Sequence, residues 1–434
     1  MPCRRIQELL LCICCGRLIA QQLFWLGQLP GGGTSEAYAV SDSGTVVVGR
    51  AENANYFWRA FRWTPAGRME PLGTFGGSFS EATAVSPDGS IIVGRAQDSL
   101  GRWRAFRWSA SEGLQDLGTL GGRESEAFDI APSGIIVGKA ANASLQSRAF
   151  RWSPAEGMQE LGTFGGPESA ALAIARDSFV IVGWAENADR QPRAFRWSPT
   201  TGMEDLGTLG GARSEAYAVS ANGFVVVGRA ENIDRLWRAF RWTPSTGMRE
   251  LGTLGGRESA AMALSADGSI VVGWAATPTA DWHAFRWTEE TGLQDLNLLY
   301  ARVVGRSLLY TANGISPDGR YIVGYGINAS TGRREAYLLD TQGTTSVAGH
   351  TSQPFYLVVE PNPVIGTGIV RLRAATRPVR VSILDLLGRE LIVLGTVVGI
   401  GESTVPLPAL PAGTYLVLAR ADNTTAAAPV VVLR

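Results

Sequence analysis

One string recurs along this chain at a nearly fixed spacing, and it restricts the fold more than any other feature. Ala-Phe-Arg-Trp stands at 60–63, 105–108, 149–152, 194–197, 239–242 and 284–287, and a degenerate copy, Ala-Tyr-Leu-Leu, at 336–339. Leu-Gly-Thr-Leu/Phe-Gly-Gly begins at Leu72, Leu117, Leu161, Leu206 and Leu251, with weaker copies at Leu26 and Leu296. An apolar run closing in Val-Gly ends at Gly49, Gly94, Gly138, Gly183, Gly228, Gly273 and Gly324. The usual spacing is 44–46 residues, and each element occurs seven times. A period of this length marks a solenoid, a propeller or an array.

Each unit reads as four short strands. In the fifth, 215–219 alternates small and large residues, as a strand with two unlike faces does. Ser220-Ala-Asn-Gly223 is a turn, because Asn-Gly accepts positive φ cheaply. The run 224–227 suits a strand buried on both faces. A variable polar loop leads to 237–242, Pro244-Ser-Thr-Gly247 turns again, and 248–254 is the last strand. Four antiparallel strands in about 45 residues is the measure of one propeller blade. A lone blade leaves two apolar faces uncovered, so blades must stack around an axis. The Ala-rich first strand suits the innermost position.

The expected fold is therefore all-β: a seven-bladed β-propeller over 21–340, a linker over 341–354, and a small C-terminal β-sandwich over 355–434. The repeat region opens on a fourth-strand element (26–29) and closes on a third-strand element (336–339), so the N-terminal strand can complete the last blade. An open β-solenoid is the alternative, and it needs no such latch. Arg107/Asp116, Arg151/Glu160, Arg196/Asp205, Arg241/Glu250 and Arg286/Asp295 each lie nine residues apart across a short turn. That spacing predicts a ladder of directly cross-strand ion pairs.

All four cysteines, Cys3, Cys12, Cys14 and Cys15, lie near the N-terminus, which excludes a disulfide framework or thiol nucleophile in the repeat region. Arg4 and Arg5, an apolar run at 9–15 and Ala20 outline a signal peptide over 1–20. The 39 basic residues balance 39 acidic ones, which gives no electrostatic footprint for nucleic acid. No apolar run approaches the ~20 residues of a transmembrane helix.

The repeated strings resemble the HAF repeat family of extracellular bacterial proteins. The namesake string stands at His283-Ala284-Phe285, and five other copies carry Arg in place of His. The resemblance covers roughly 26–340 and implies an exported protein without a defined ligand. The segment from about 355 resembles the type IX secretion (Por) sorting domain. Its matching residues are Pro361-Asn362-Pro363, then Leu387-Gly388-Arg389, then 410–415 with Gly413 and Tyr415, and 430–434 at the end. That resemblance implies passage across the outer membrane of a Bacteroidota-like cell, with the type IX machinery as partner and a secreted or cell-surface destination.

In a propeller, the lead-in to strand one and the loop between strands two and three share a face. This places Glu36, Glu81, Glu126 and Glu215 near the channel mouth, with Arg123, Arg213 and Arg257 close by. Trp58, Trp103, Trp237 and Trp282, beside the variable loops, are the candidates for exposed stacking on a ligand. No catalytic residue, cofactor site or metal site emerges: the two histidines, His283 and His350, lie far apart, and no phosphate-binding loop occurs. The expected function is a monomeric binding or interaction module for glycan or protein. The alternatives are an extracellular glycan hydrolase or lyase and a structural surface protein. A deep pocket lined by carboxylates from different units would favour the hydrolase.

Overall fold

The computed structural model describes residues 21–342 and, beyond them, 355–360, 364–365, 368–374, 379–384, 389–397, 401–421 and 424–433. The expected signal peptide and nearly all of the linker lie outside the described residues. The chain divides into two compact units between Thr345 and Ser346.

The first unit contains seven four-stranded antiparallel sheets. The fourth sheet shows the common plan, running from Gly165–Ile174 innermost through Ile181–Asn187 and Pro192–Ser198 to Gly202–Asp205 outermost. Each innermost strand touches the next, and the last, Leu308–Ile315, touches the first, Ser35–Val40. The ring is closed, and the unit is a β-propeller. The seventh sheet is completed by the N-terminal strand Gln22–Trp25, paired along Arg333–Asp340 from Gln22 opposite Asp340 to Trp25 opposite Tyr337. This latch excludes the open solenoid. The latch strand lies four residues before the expected 26–29. The Leu-Gly-Thr string is instead the crossover leaving each outermost strand, and Gly162 and Gly165 within it have φ of 91° and 100°. Only glycine adopts such angles without strain.

The repeated strings have distinct packing roles. The Ala and Phe of Ala-Phe-Arg-Trp are fully buried in six sheets, and Tyr337 takes the Phe place in the seventh. Opposite each Phe lies the glycine of Val-Gly, as in Gly183 facing Phe195. A Cβ at Gly183 would stand 2.0 Å from the Ala170 carbonyl oxygen, so the close approach of the two inner strands requires glycine. The run at 224–227 is buried only from Val225 onward, and Phe224 is exposed.

Serines join the sheets to one another. The Ser125 hydroxyl accepts the Ala105 N–H of the preceding sheet at 2.9 Å and donates to the Gly118 carbonyl at 2.6 Å. Ser35, Ser80, Ser169, Ser214 and Ser259 repeat this bridge, and all six are buried. One hydroxyl thus satisfies two backbone groups at six of the seven seams, and at the seventh the Asn297 side chain accepts the Leu309 N–H and donates to the Leu309 carbonyl.

The expected ion-pair ladder is corrected by one residue. The hairpin between the third and fourth strands sets Phe106 opposite Asp116 and Arg107 opposite Gln115. The turn has three residues and a glycine at positive φ, Gly157 in the next sheet, which moves the hairpin centre by half a residue. The acid therefore shares a face with the residue before Ala-Phe. The ladder that forms is Arg104–Asp116, Arg148–Glu160, Arg193–Asp205 and Arg238–Glu250, at 2.9–3.2 Å, and in the sixth sheet the His283 ring hydrogen-bonds Asp295 at 2.7 Å. Arg107 and Arg151 bond instead to the turn acids Glu112 and Glu156.

The second unit has a three-stranded sheet of Phe355–Glu360, Gly368–Ala374 and Gly401–Leu407. Its five-stranded sheet runs Val364–Ile365, Thr424–Leu433, Gly413–Ala421, Val379–Leu384, Glu390–Val397. Val370, Val381, Ile383 and Val417 are fully buried. Of the sorting-motif residues, Gly413 opens a strand and the Tyr415 hydroxyl donates to the Pro411 carbonyl at 2.9 Å. Arg389 directly precedes another strand, while Pro361, Asn362, Pro363 and Gly388 lie outside the described residues. No helix among the described residues is long and apolar enough to cross a membrane.

Candidate functional site

At the rim, one cross-strand position decides the character of each sheet. Glu36, Glu81, Glu126 and Glu215 of the innermost strands face Arg50, Arg95, Lys139 and Arg229 of the second strands. Where the innermost strand carries Ala170, Ala260 or Thr311, the partner is Trp184, Trp274 or Tyr325. A carboxylate is thus matched by a cation, and a small residue by an aromatic one.

The four glutamates do not form an open ring of carboxylates. Arg334 and Arg50 hold Glu36 at 2.5 and 2.9 Å. Arg50 reaches Glu81 at 2.7 Å, Arg95 joins Glu81 to Glu126 at 2.8 and 2.9 Å, and Lys139 ends the chain 3.4 Å from Glu126. Charges alternate across four adjacent sheets, so each arginine ties one sheet to the next. The Tyr38 hydroxyl donates to Glu36 at 2.8 Å, and Tyr217 likewise bonds Glu215. Burial, reinforced by the neighbouring glutamate, pushes both phenols well above their ordinary value, so they stay protonated donors. Arg213 pairs with Glu231, while Arg123 and Arg257 lend backbone carbonyls to Arg104 and Arg238.

The four tryptophans divide in the same way. Arg50, Arg95 and Arg229 lie over the rings of Trp58, Trp103 and Trp237, with the guanidinium carbon 4.3–4.4 Å from each centroid. These three rings are half-buried, and one face of each is occupied by a cation. Trp282 is 45 % exposed and stacks on Trp274 with centroids 4.5 Å apart. The repeat alone did not reveal this division. Its signal was the Glu-to-Ala change at position 260, fourteen residues before a Trp in place of Arg.

The axis holds a second group that the sequence reading missed. Every innermost strand carries a bulge at one position, seen as a register break between Ala127 and Asp129 and its equivalents. The extra residue, Phe128 in the third sheet, lines the central cavity. Asp129 lines it too, and burial raises its carboxyl to about 6, against the lowering effect of two amide hydrogen bonds. Asp42 and Arg176, from the turns of the first and fourth sheets, meet in a bidentate pair at 2.9 and 2.7 Å. Among the described residues, no three His, Cys, Asp or Glu side chains gather as a metal site.

No protein-family model matches this chain, and no curated protein matches it. Among solved structures, the chain is similar to the β-propeller domain of the Trilobed protease from Pyrococcus furiosus (12 % identity, TM-score 0.46, covering 71 % of this chain and 96 % of that one). It is also similar to TolB from Acinetobacter baumannii (13 % identity, TM-score 0.41, 66 % and 77 % covered) and to hydrazine synthase from Kuenenia stuttgartiensis (10 % identity, TM-score 0.41, 71 % and 96 % covered).

Proposed function

We propose that this protein is an exported seven-bladed β-propeller that binds glycan or protein at its rim, followed by a β-sandwich that serves as its type IX sorting domain. The observation that carries the binding reading is the stacked tryptophan pair in one of the three rim sectors that lack the glutamate. All four glutamates are consumed in ion pairs, Glu36, Glu81 and Glu126 across sheets and Glu215 within its own, whereas Trp282 offers an exposed ring stacked on Trp274. A rigid, exposed aromatic at a loop face is the usual anchor for a sugar ring or an apolar side chain. Export rests on the basic and apolar N-terminal run and on the ordered motifs from 361 to 434.

Glycan-array binding by the full chain tests the first part. Trp282→Ala should abolish binding, and Trp103→Ala, whose ring is covered by Arg95, should preserve it. Loss in Trp103→Ala alone would move the site to the ionic sector, and no glycan binding at all would point to a protein ligand. Expression in a type IX-competent cell tests the second part. The full chain should reach the cell surface or medium, and a chain ending at 354 should remain in the periplasm.

A hydrolase is the second reading, because Asp42 and Asp129 from different sheets line one cavity. Against it, the Asp42 carboxylate is held bidentately by Arg176 and is not free to activate water. Release of reducing ends from glycans, abolished by Asp129→Asn, would establish the hydrolase.

A further inference from the structure

In a chain of near-identical units, charged residues that break the pattern and converge in space call for a reason. The position after the bulge is Ala39, Ala84, Ala173, Ala218, Ala263 or Gly314 in six sheets and Asp129 in the third. The second residue of the following turn is Pro or Ala in five sheets, Asp42 in the first and Arg176 in the fourth. All three exceptions line one end of the axial channel. Asp42 and Arg176, 134 residues apart, satisfy each other there. Asp129 has no such partner. Its two carboxylate oxygens accept the N–H groups of Ile130 and Ile174 at 2.8 and 2.9 Å, and no Lys, Arg or His among the described residues is paired with it.

The cavity beside Asp129 measures about 490 Å³. Its walls are mainly apolar and aromatic, with Tyr38, Phe128, Leu172, Tyr217 and Met262 contributed by five different sheets. That volume falls in the range of small-molecule pockets.

We propose that this axial cavity binds a small organic ammonium ion, with its charged head at Asp129 and an apolar or aromatic body against the bulge residues. A carboxylate in a mainly apolar cavity is stabilised by a cation more than by a neutral donor. Aromatic walls favour a cation a second time, through their negative ring faces. Arg176 does not anchor an anionic ligand, because Asp42 holds its guanidinium. The site is separate from the rim and stands or falls independently of the rim's ligand.

The test is calorimetric titration of the full chain with benzylammonium, cyclohexylammonium and benzyltrimethylammonium, alongside neutral benzyl alcohol and anionic benzoate. At least one ammonium ion should bind saturably and at least tenfold tighter than benzyl alcohol, and benzoate should not bind. Asp129→Asn should remove that tenfold preference while leaving the affinity for benzyl alcohol unchanged. Leu172→Trp, at a bulge position that already tolerates Tyr and Phe in other sheets, should fill the cavity and abolish binding with Asp129 intact. Equal affinity for alcohol and ammonium, undiminished ammonium binding by either variant, or no saturable binding of any of the three ions would overturn the proposal. Glycan binding at Trp282 is untouched by any of these results.

Discussion

Replacing Asp129 by Asn should remove a loss of stability that the wild-type ring suffers as the pH rises from about 4 to 7. Burial raises the carboxyl from 3.8 to about 6 in the folded protein. Between these values the unfolded chain has released its proton and the folded chain still holds it. Folding stability therefore falls as pH rises across that window and levels off above it. A shift of about two units corresponds to about 3 kcal/mol. Asn carries no titratable proton, so from about pH 4 to pH 7 the wild type should lose about 3 kcal/mol relative to it, on top of a pH-independent cost to the variant, because the Asn amide nitrogen cannot accept one of the two N–H groups that the Asp129 oxygens accept. Urea denaturation followed by tryptophan fluorescence reads this directly. All 13 tryptophans lie between Trp25 and Trp287, so the full chain reports on the ring without signal from the C-terminal unit. A difference independent of pH, or one that moves in favour of the wild type as the pH rises, would refute the reasoning.

Other perturbations follow from the packing. Ser125→Ala leaves the buried Ala105 N–H without an acceptor and should cost about 1–3 kcal/mol in the same urea assay, whereas exposed Ser144→Ala should cost almost nothing. Gly183→Ala forces a methyl against the Ala170 carbonyl and should destabilise the ring by about 3 kcal/mol or more, read as a lowered denaturation midpoint. Glu81→Gln removes the buried acid shared by Arg50 and Arg95; the loss should exceed the ~1 kcal/mol of an exposed pair and change little in molar salt, which screens buried pairs weakly. A double-mutant cycle on Arg104 and Asp116 should give a coupling of about 0.5 kcal/mol, and one on Arg107 and Asp116 a coupling near zero.

Much of the architecture was legible from residue spacing. Backbone hydrogen bonding and side-chain alternation are local, so a period near 45 residues carries a four-stranded sheet wherever it recurs. The mismatch between the first and last repeat elements likewise announced the latch that Gln22–Trp25 forms with Arg333–Asp340. Register was harder. A three-residue turn with glycine at positive φ shifted the third and fourth strands by one residue, and in a strand one residue exchanges the two faces. Asp116 therefore met Arg104 rather than Arg107. The matching of Glu with Arg or Lys, and of Ala with Trp, was present at a spacing of thirteen or fourteen residues. It became readable only once the bulge set which residues face each other. The axial group was not legible at all. Asp129, Asp42 and Arg176 belong to three separate units, and only closure of the ring brings their inner strands to a common axis. Local chemistry determined the sheet, and the closed ring decided which exceptions to the repeat would meet.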